Sequence, residues 1–264
     1  MIIALLLGII EGLTEFLPIS STGHLIIANK FVNFTGEFAN LFDIVIQLGA
    51  VLAVVLYYKS KLTPPVRDKQ SLNNYINNWV KIIIAFIPAA VIGFILSDII
   101  EKYLFNSFVV AMAMILGGIL LLLVERRKFE SSTISLEKVS LKQALTIGIF
   151  QCLSLIPGMS RSASTIVGGL FKDLSRETAT EFSFLLAIPT LFGASILKFI
   201  KYQQALGSTE VIALVVGLVT SFVTALLVIS LFTKYIKTHN FQVFAYYRIV
   251  IGLIILTLTL FKII

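Results

Sequence analysis

Long apolar runs alternate with short polar stretches along this chain, and hydropathy marks six runs of membrane-crossing length at about 41–58, 80–98, 108–124, 182–200, 211–232 and 243–262. A helix needs roughly 20 apolar residues to cross a hydrocarbon layer about 30 Å thick, so each run predicts one transmembrane helix. Two regions break the pattern. Residues 1–10 and 25–34 are apolar pieces of about ten residues on either side of EGLTEFLPISSTGH, and residues 144–156 and 165–171 flank PGMSRSAS in the same way. Half-length helices meeting at a Pro/Gly/Ser break predict two re-entrant hairpins, because non-helical backbone survives at membrane depth only where protein or a wet cavity covers it. The predicted fold class is an all-α integral membrane protein with six full transmembrane helices plus two re-entrant broken-helix hairpins.

The two irregular regions also match each other. A shift of 140 residues places Gly8 on Gly148, Glu11 on Gln151, Leu13 on Leu153, Ser20 on Ser160, Ser21 on Arg161 and Phe31 on Phe171, and it carries Phe42 onto Phe182 and Lys61 onto Lys201. Farther along, Lys102-Tyr103 resembles Lys234-Tyr235 at a smaller offset. The pattern reads as a duplication within a single membrane domain, with repeats at 1–130 and 141–264. Each repeat then holds one hairpin and three crossings. Three is odd, so the second repeat enters the membrane upside down, giving an inverted-topology repeat.

Composition supports a membrane chain. Of 264 residues 58% are hydrophobic and 13% charged, with a mean hydropathy of +0.98, well outside the soluble range. The single cysteine, Cys152, excludes a disulfide framework and a thiolate metal site. The net charge of +7 comes from 21 Lys and Arg against 14 Asp and Glu, with most bases in the connections. That distribution reads as topology and anionic headgroups, and no nucleic-acid partner is expected. Residues 1–10 lack the basic flank and small-residue cleavage site of a secretory signal. Lys59, Lys61, Arg67, Lys69 and Lys81, then Arg126, Arg127, Lys128, Lys138 and Lys142, then Lys234 and Lys237 mark three cytoplasmic loops. The connections around Asp98, Glu101 and Lys102, and around Lys198, Lys201 and Glu210, are poorer in bases and face outward, so both termini lie outside. Trp79, Tyr57 and Tyr58 fall at the cytoplasmic boundary, as interfacial aromatics do.

The chemistry concentrates in the two breaks. Glu11 and Glu15 are spaced i, i+4 and share a helix face. An ionised acid at membrane depth costs roughly 2.5–3.5 kcal/mol, so something must offset the pair. Two hard oxygen ligands beside hydroxyls suit Mg²⁺ or Ca²⁺. In the second break Arg161 carries an always-charged planar fork that matches phosphate or carboxylate. Ser20 and Ser160 stand just before apolar runs, where helix N-caps belong, so two helix N-termini would turn their free N–H groups toward one pocket suited to an anion. The charges −2 from the glutamates, +1 from Arg161 and about −2 to −3 from a phosphate ester or diphosphate balance only with an added cation, as in metal-assisted phosphoryl transfer. Ser21 and His24 lie i, i+3 on the following helix, a spacing that sets a hydroxyl nucleophile beside an imidazole base. Arg248, about five residues inside the last span, reads as a snorkelling side chain, Glu181 as a first-turn helix acid, and His239 as part of a basic loop.

EGLTEFLPISSTGHL (Glu11 to Leu25) and PGMSRSAST (Pro157 to Thr165) resemble the two signature motifs of the bacterial undecaprenyl-diphosphate phosphatase family, also called the bacitracin-resistance family. The resemblance extends over essentially the whole chain, including FDIVIQLGA (Phe42 to Ala50) and EFSFLLAIP (Glu181 to Pro189). It implies a multi-pass hydrolase of the bacterial plasma membrane that removes the terminal phosphate from a C55 isoprenoid diphosphate. Such an enzyme recycles the lipid carrier of peptidoglycan synthesis, requires a divalent cation and has an active site open to the extracytoplasmic side. By motif position the essential residues fall on Glu11, Glu15, His24 and Arg161, with hydroxyls Ser20, Ser21, Ser160, Ser162 and Thr165 around them. Ala163 departs from the motif, which often has Gly there.

The expected roles are then Ser21 as nucleophile, His24 in proton transfer, Glu11 and Glu15 as metal ligands, and Arg161 on phosphate. Ser20, Thr22, Ser160, Ser162 and Thr165 line the substrate. A metal-bound water in place of Ser21 is the competing nucleophile. The expected partners are the polyprenyl diphosphate, the bilayer and, with the oligomeric state open, a second copy in a homodimer. The competing class is an inverted-repeat transporter or flippase of a lipid phosphate or other anion, since broken helices at the midplane serve carriers as well.

Overall fold

The computed structural model describes residues 1–65, 68–127, 132–202 and 205–263, apart from the side chain of Lys201. Arg67 and Lys128, two bases used above for orientation, lie outside the described residues. Among the described residues eleven α-helices follow one another: α1 (Ile2–Thr14), α2 (Ser21–Phe31), α3 (Glu37–Tyr57), the single turn α4 (Lys59–Leu62), α5 (Lys69–Leu104), α6 (Ser107–Arg126), α7 (Leu141–Gln151), α8 (Arg161–Phe171), α9 (Arg176–Lys201), α10 (Ser208–Tyr235) and α11 (Gln242–Leu260). Among the described residues there is no strand, only an isolated bridge between Thr133 and Leu174.

Six of these helices, α3, α5, α6, α9, α10 and α11, are long and apolar enough to cross a membrane, and they coincide with the six hydropathy runs. The protein is therefore an all-α multi-pass membrane protein. The helices start where side chains can satisfy free backbone N–H groups. Asp68 accepts from the Ser71 amide at 2.7 Å and Asn106 from the Val109 amide at 2.9 Å, while Ser140 and Gln143 cap α7 reciprocally. Each such cap contributes about 1 kcal/mol. α5, at 36 residues, outruns the hydropathy run because its polar first turns continue the helix beyond the apolar layer. Lys81 consequently lies inside α5 instead of in a loop, and its Nζ donates to the carbonyls of Leu136 and Glu137 at 3.1 and 2.9 Å.

Side chains such as Phe94, Ile95, Leu227 and Leu231 lie exposed on the outer surface, as a chain solvated by lipid requires. The core gathers Phe16, Phe184, Phe232 and Phe241, with Phe16 and Phe184 edge-to-face at 5.1 Å. Tyr58, expected at the interface, is buried against this core beside Phe184, whereas Tyr57 stays exposed.

The packing exchanges the two halves. α1 lies on α10 while α7 lies on α5, α3 packs on α10 while α9 packs on α5, and α3 meets α9 as α6 meets α11. Gly8 and Gly148 mark the matching close approaches. A Cβ on Gly8 would stand 2.6 Å from the Gly217 carbonyl oxygen, and one on Gly148 would stand 2.4 Å from that of Ala85. Each half thus supplies the surface on which the other half's short broken helices rest.

Candidate active site

Both breaks end in the same strained cap. Ser20 has φ +74° and its Oγ accepts from the Gly23 amide at 3.2 Å; Ser160 has φ +67° and its Oγ accepts from the Ala163 amide at 3.2 Å. A non-glycine residue in the left-handed region costs on the order of 1–3 kcal/mol and persists only where its surroundings hold it. Here the cap turns α2 and α8 so that their first residues, Ser21 and Arg161, face the end of α1.

Glu15, the residue that closes α1, receives both. Ser21 Oγ donates to Glu15 Oε2 at 2.6 Å, and Arg161 Nη2 and Nε donate to Glu15 Oε1 at 3.3 and 3.4 Å. Arg161 Nη1 donates to the Ser183 carbonyl at 2.9 Å, and its guanidinium lies 5.8 Å from the Phe16 ring centre. Glu15 and Arg161 are 6% and 8% exposed, so this ion pair joins two otherwise distant parts of the sequence inside the protein.

Glu11, one turn earlier, is fully buried, and among the described residues neither of its carboxylate oxygens has a hydrogen-bond partner. Asp43 of α3 lies within its electrostatic range, and Asn29 Nδ2 donates to Asp43 Oδ2 at 2.7 Å. Asp43 Oδ1 and Asn29 Oδ1 are likewise buried without partners among the described residues. Buried acceptor oxygens that no donor meets fit a cation. Among the described residues no three of His, Cys, Asp and Glu converge on one point. Protein groups alone would therefore fill only part of a divalent cation's coordination shell, with water or substrate phosphate completing it. Sequence reasoning missed Asn29 and Asp43 because single polar residues inside apolar runs carry no spacing signal.

Other expected site residues are placed differently. Ser162 Oγ donates to the Phe16 carbonyl at 2.9 Å, and Thr165 Oγ1 is 2.7 Å from Ser183 Oγ and bonds the carbonyls of Arg161 and Ser162. These hydroxyls join α8 to its neighbours. Thr22 is half-buried beside Ser21. His24 does not pair with Ser21. Its Nδ1 lies 2.7 Å from the Ser20 carbonyl, its Nε2 lies 2.8 Å from the Tyr247 hydroxyl, and the two rings are parallel at 5.6 Å. The i, i+3 spacing puts both side chains on one side of α2, but Ser21 at its first position turns back to Glu15 while the ring reaches α11.

Arg248 corrects the sequence reading outright: it is fully buried and does not snorkel. Its guanidinium donates to the carbonyls of Pro18 (3.4 Å) in the first break, Gly158 (3.2 Å) and Met159 (2.9 Å) in the second, and Ala113 and Met114 of α6. A Cβ on Gly117 would stand 2.1 Å from Arg248 Nη2, so glycine there makes the space the guanidinium occupies. Glu181, expected in a first turn, sits in the second turn of α9 and pairs with Lys61. Gln151, the repeat counterpart of Glu11, is buried and accepts from the Thr190 hydroxyl at 3.2 Å.

Six apolar spans around a buried Glu–Arg pair and two serine-capped helix N-termini define a multi-pass membrane protein with a polar site walled in by its own helices. Comparison with known proteins gives the family. The model of bacitracin resistance protein BacA matches residues 4–254, and the chain belongs to that family. Its relatives include a protein of Thermoanaerobacter sp. (strain X514), 50% identical over 99% of this chain and 97% of the relative, and one of Clostridium tetani, 49% identical over the same shares. A Pseudomonas syringae pv. syringae protein is 47% identical over 96% of this chain and 92% of its own length. All three are named undecaprenyl-diphosphatase.

Proposed function

We propose that this chain is an undecaprenyl-diphosphatase: a membrane hydrolase that converts the C55 isoprenoid diphosphate to its monophosphate and inorganic phosphate and so recycles the lipid carrier of cell-wall synthesis. The observation that carries the reading is the meeting of Ser21 and Arg161 on the two oxygens of one buried carboxylate, Glu15. Near-full-length similarity to proteins of that name supports it.

Ser21 Oγ attacks the terminal phosphorus as its proton passes to Glu15 Oε2, already at hydrogen-bond distance. The bond to the bridging oxygen breaks, and its electron pair leaves with the lipid phosphate. Arg161 exchanges its contact with Glu15 for the transferring phosphoryl group, and the free N–H groups at the starts of α2 and α8 receive the phosphate oxygens. Water then cleaves the phosphoserine, His24 takes up the proton that the water releases, and the leaving Ser21 Oγ recovers its own proton from Glu15 Oε2. A divalent cation, Mg²⁺ or Ca²⁺, would neutralise the diphosphate charge; Glu11 is the residue to hold it, with Asp43 and Asn29 nearby and the remaining lone pairs of Glu15. The names of the near-full-length relatives favour hydrolysis over carriage.

The site belongs on the extracytoplasmic side of the bacterial plasma membrane, with the three base-rich connections inside. The first broken pair, α1–α2, enters from outside and the second, α7–α8, from the cytoplasm, and the prenyl chain lies along the apolar spans. The deciding experiment is phosphate release from polyprenyl diphosphate by the purified protein, with and without EDTA, beside Arg161→Ala. The expected outcome is loss of release under both changes; release untouched by either defeats the mechanism.

A further inference from the structure

The contact between His24 and Tyr247 fixes more than a ring orientation. A backbone carbonyl can only accept, so the 2.7 Å approach of His24 Nδ1 to the Ser20 carbonyl requires the proton on Nδ1. In the neutral ring Nε2 is then bare, and the Tyr247 hydroxyl 2.8 Å away is its donor. The rings lie parallel within 4°, and Tyr247 is 39% exposed, so the residue that meets Nε2 is itself open to its surroundings. Ser20 is the strained cap of α2, and Tyr247 precedes the buried Arg248 that ties both breaks to α6. Both ends of the chain Ser20 C=O···H–Nδ1 and Nε2···H–Oη are therefore held.

Resting on the phosphatase reading, we propose that Tyr247 is a positioning and proton-relay residue: it donates to the Nε2 that the Ser20 carbonyl contact leaves bare, holds the ring there, and passes to Nε2 the proton released when water cleaves the phosphoenzyme. The balance is simple. One water O–H bond breaks and its proton goes to Tyr247 Oη, while the original Tyr247 O–H bond breaks and its proton forms the new bond to Nε2. Tyrosine ends unchanged, His24 ends as the imidazolium, and the hydroxide joins phosphorus as the Ser21 Oγ–P bond breaks, its electron pair going to Oγ, which takes back its proton from Glu15 Oε2. A phenylalanine can neither donate to the bare Nε2 nor accept from the protonated one.

The chain has two histidines, His24 and His239, so a ¹⁵N-histidine label in a His239→Asn background reports His24 alone. The expected wild-type spectrum has Nδ1 protonated and Nε2 bare. In Tyr247→Phe, which removes one oxygen and keeps the ring, Nδ1 stays protonated on the Ser20 carbonyl while the Nε2 resonance shifts as it loses its hydrogen bond, and kcat falls about ten- to hundredfold while KM changes less than about threefold. A wild-type spectrum with the proton on Nε2 overturns the proposal, as does a Tyr247→Phe protein with unaltered spectrum or unaltered kcat. If the wild type releases no phosphate at all, the phosphatase reading fails and the relay with it, while the spectrum still shows whether Tyr247 donates to Nε2.

Discussion

Glu15 divides its two oxygens between a hydroxyl and a guanidinium, and that division makes the two substitutions at this residue pair behave differently. Glu15→Gln keeps the shape and an amide oxygen for Arg161 but removes the proton acceptor and the counter-charge, so kcat is expected to fall about 10²- to 10⁴-fold with a smaller loss of stability than truncation causes, checked by phosphate release and thermal melting in detergent. Removing Arg161 leaves a buried carboxylate uncompensated, so Arg161→Ala is expected to lose stability by about 3–5 kcal/mol as well as activity. Ser21 supplies a third expectation. Acid-quenched turnover traps a phosphoserine in the wild type and none in Ser21→Ala, whereas a wild type without the phosphoserine assigns the attack to water. Glu11, Glu15, Ser21 and Arg161 were legible in the sequence because polar residues strung through apolar neighbours carry a cost that function explains. Arg248 and Tyr247 were not: near a span's end, snorkelling and burial give the same local sequence.

The broken helices are short, and the neighbours they rest on decide their geometry. α2 and α8 have 11 residues each, a length that is marginal in isolation, so their strained caps depend on what surrounds them. Arg248 supplies much of that support through its carbonyl contacts to both breaks and α6, and Gly117 makes room for it. Gly117→Ala displaces the guanidinium by overpacking and is expected to cost about 1–3 kcal/mol, lowering the melting temperature and the rate together. Leu227→Ala, on the exposed face of α10, is expected to leave both near wild type. Unchanged melting and rate in Gly117→Ala would show that the clasp is dispensable.

Across the whole molecule, ion pairs form at both ends of the helix bundle. Lys61–Glu181 and Arg176–Glu125 belong to the base-rich connections, and Lys198–Glu101 to the base-poor ones. With Cys152→Ser as background, a cysteine at Glu101 is expected to react with an impermeant maleimide in intact cells, and one at Lys138 only after the membrane is opened. The reverse pattern would invert the proposed orientation and turn the α1–α2 break toward the cytoplasm.

Six spans, two breaks and the capping serines follow from the sequence alone, because hydropathy is set by length and composition and an N-cap by its own turn. Which residues meet does not. The 146-residue separation of Glu15 and Arg161, the turn of His24 away from Ser21 to Tyr247, and the burial of Arg248 each depend on one half packing against the other. A contact between distant segments is a property of their shared surface, and no local pattern in either segment encodes it.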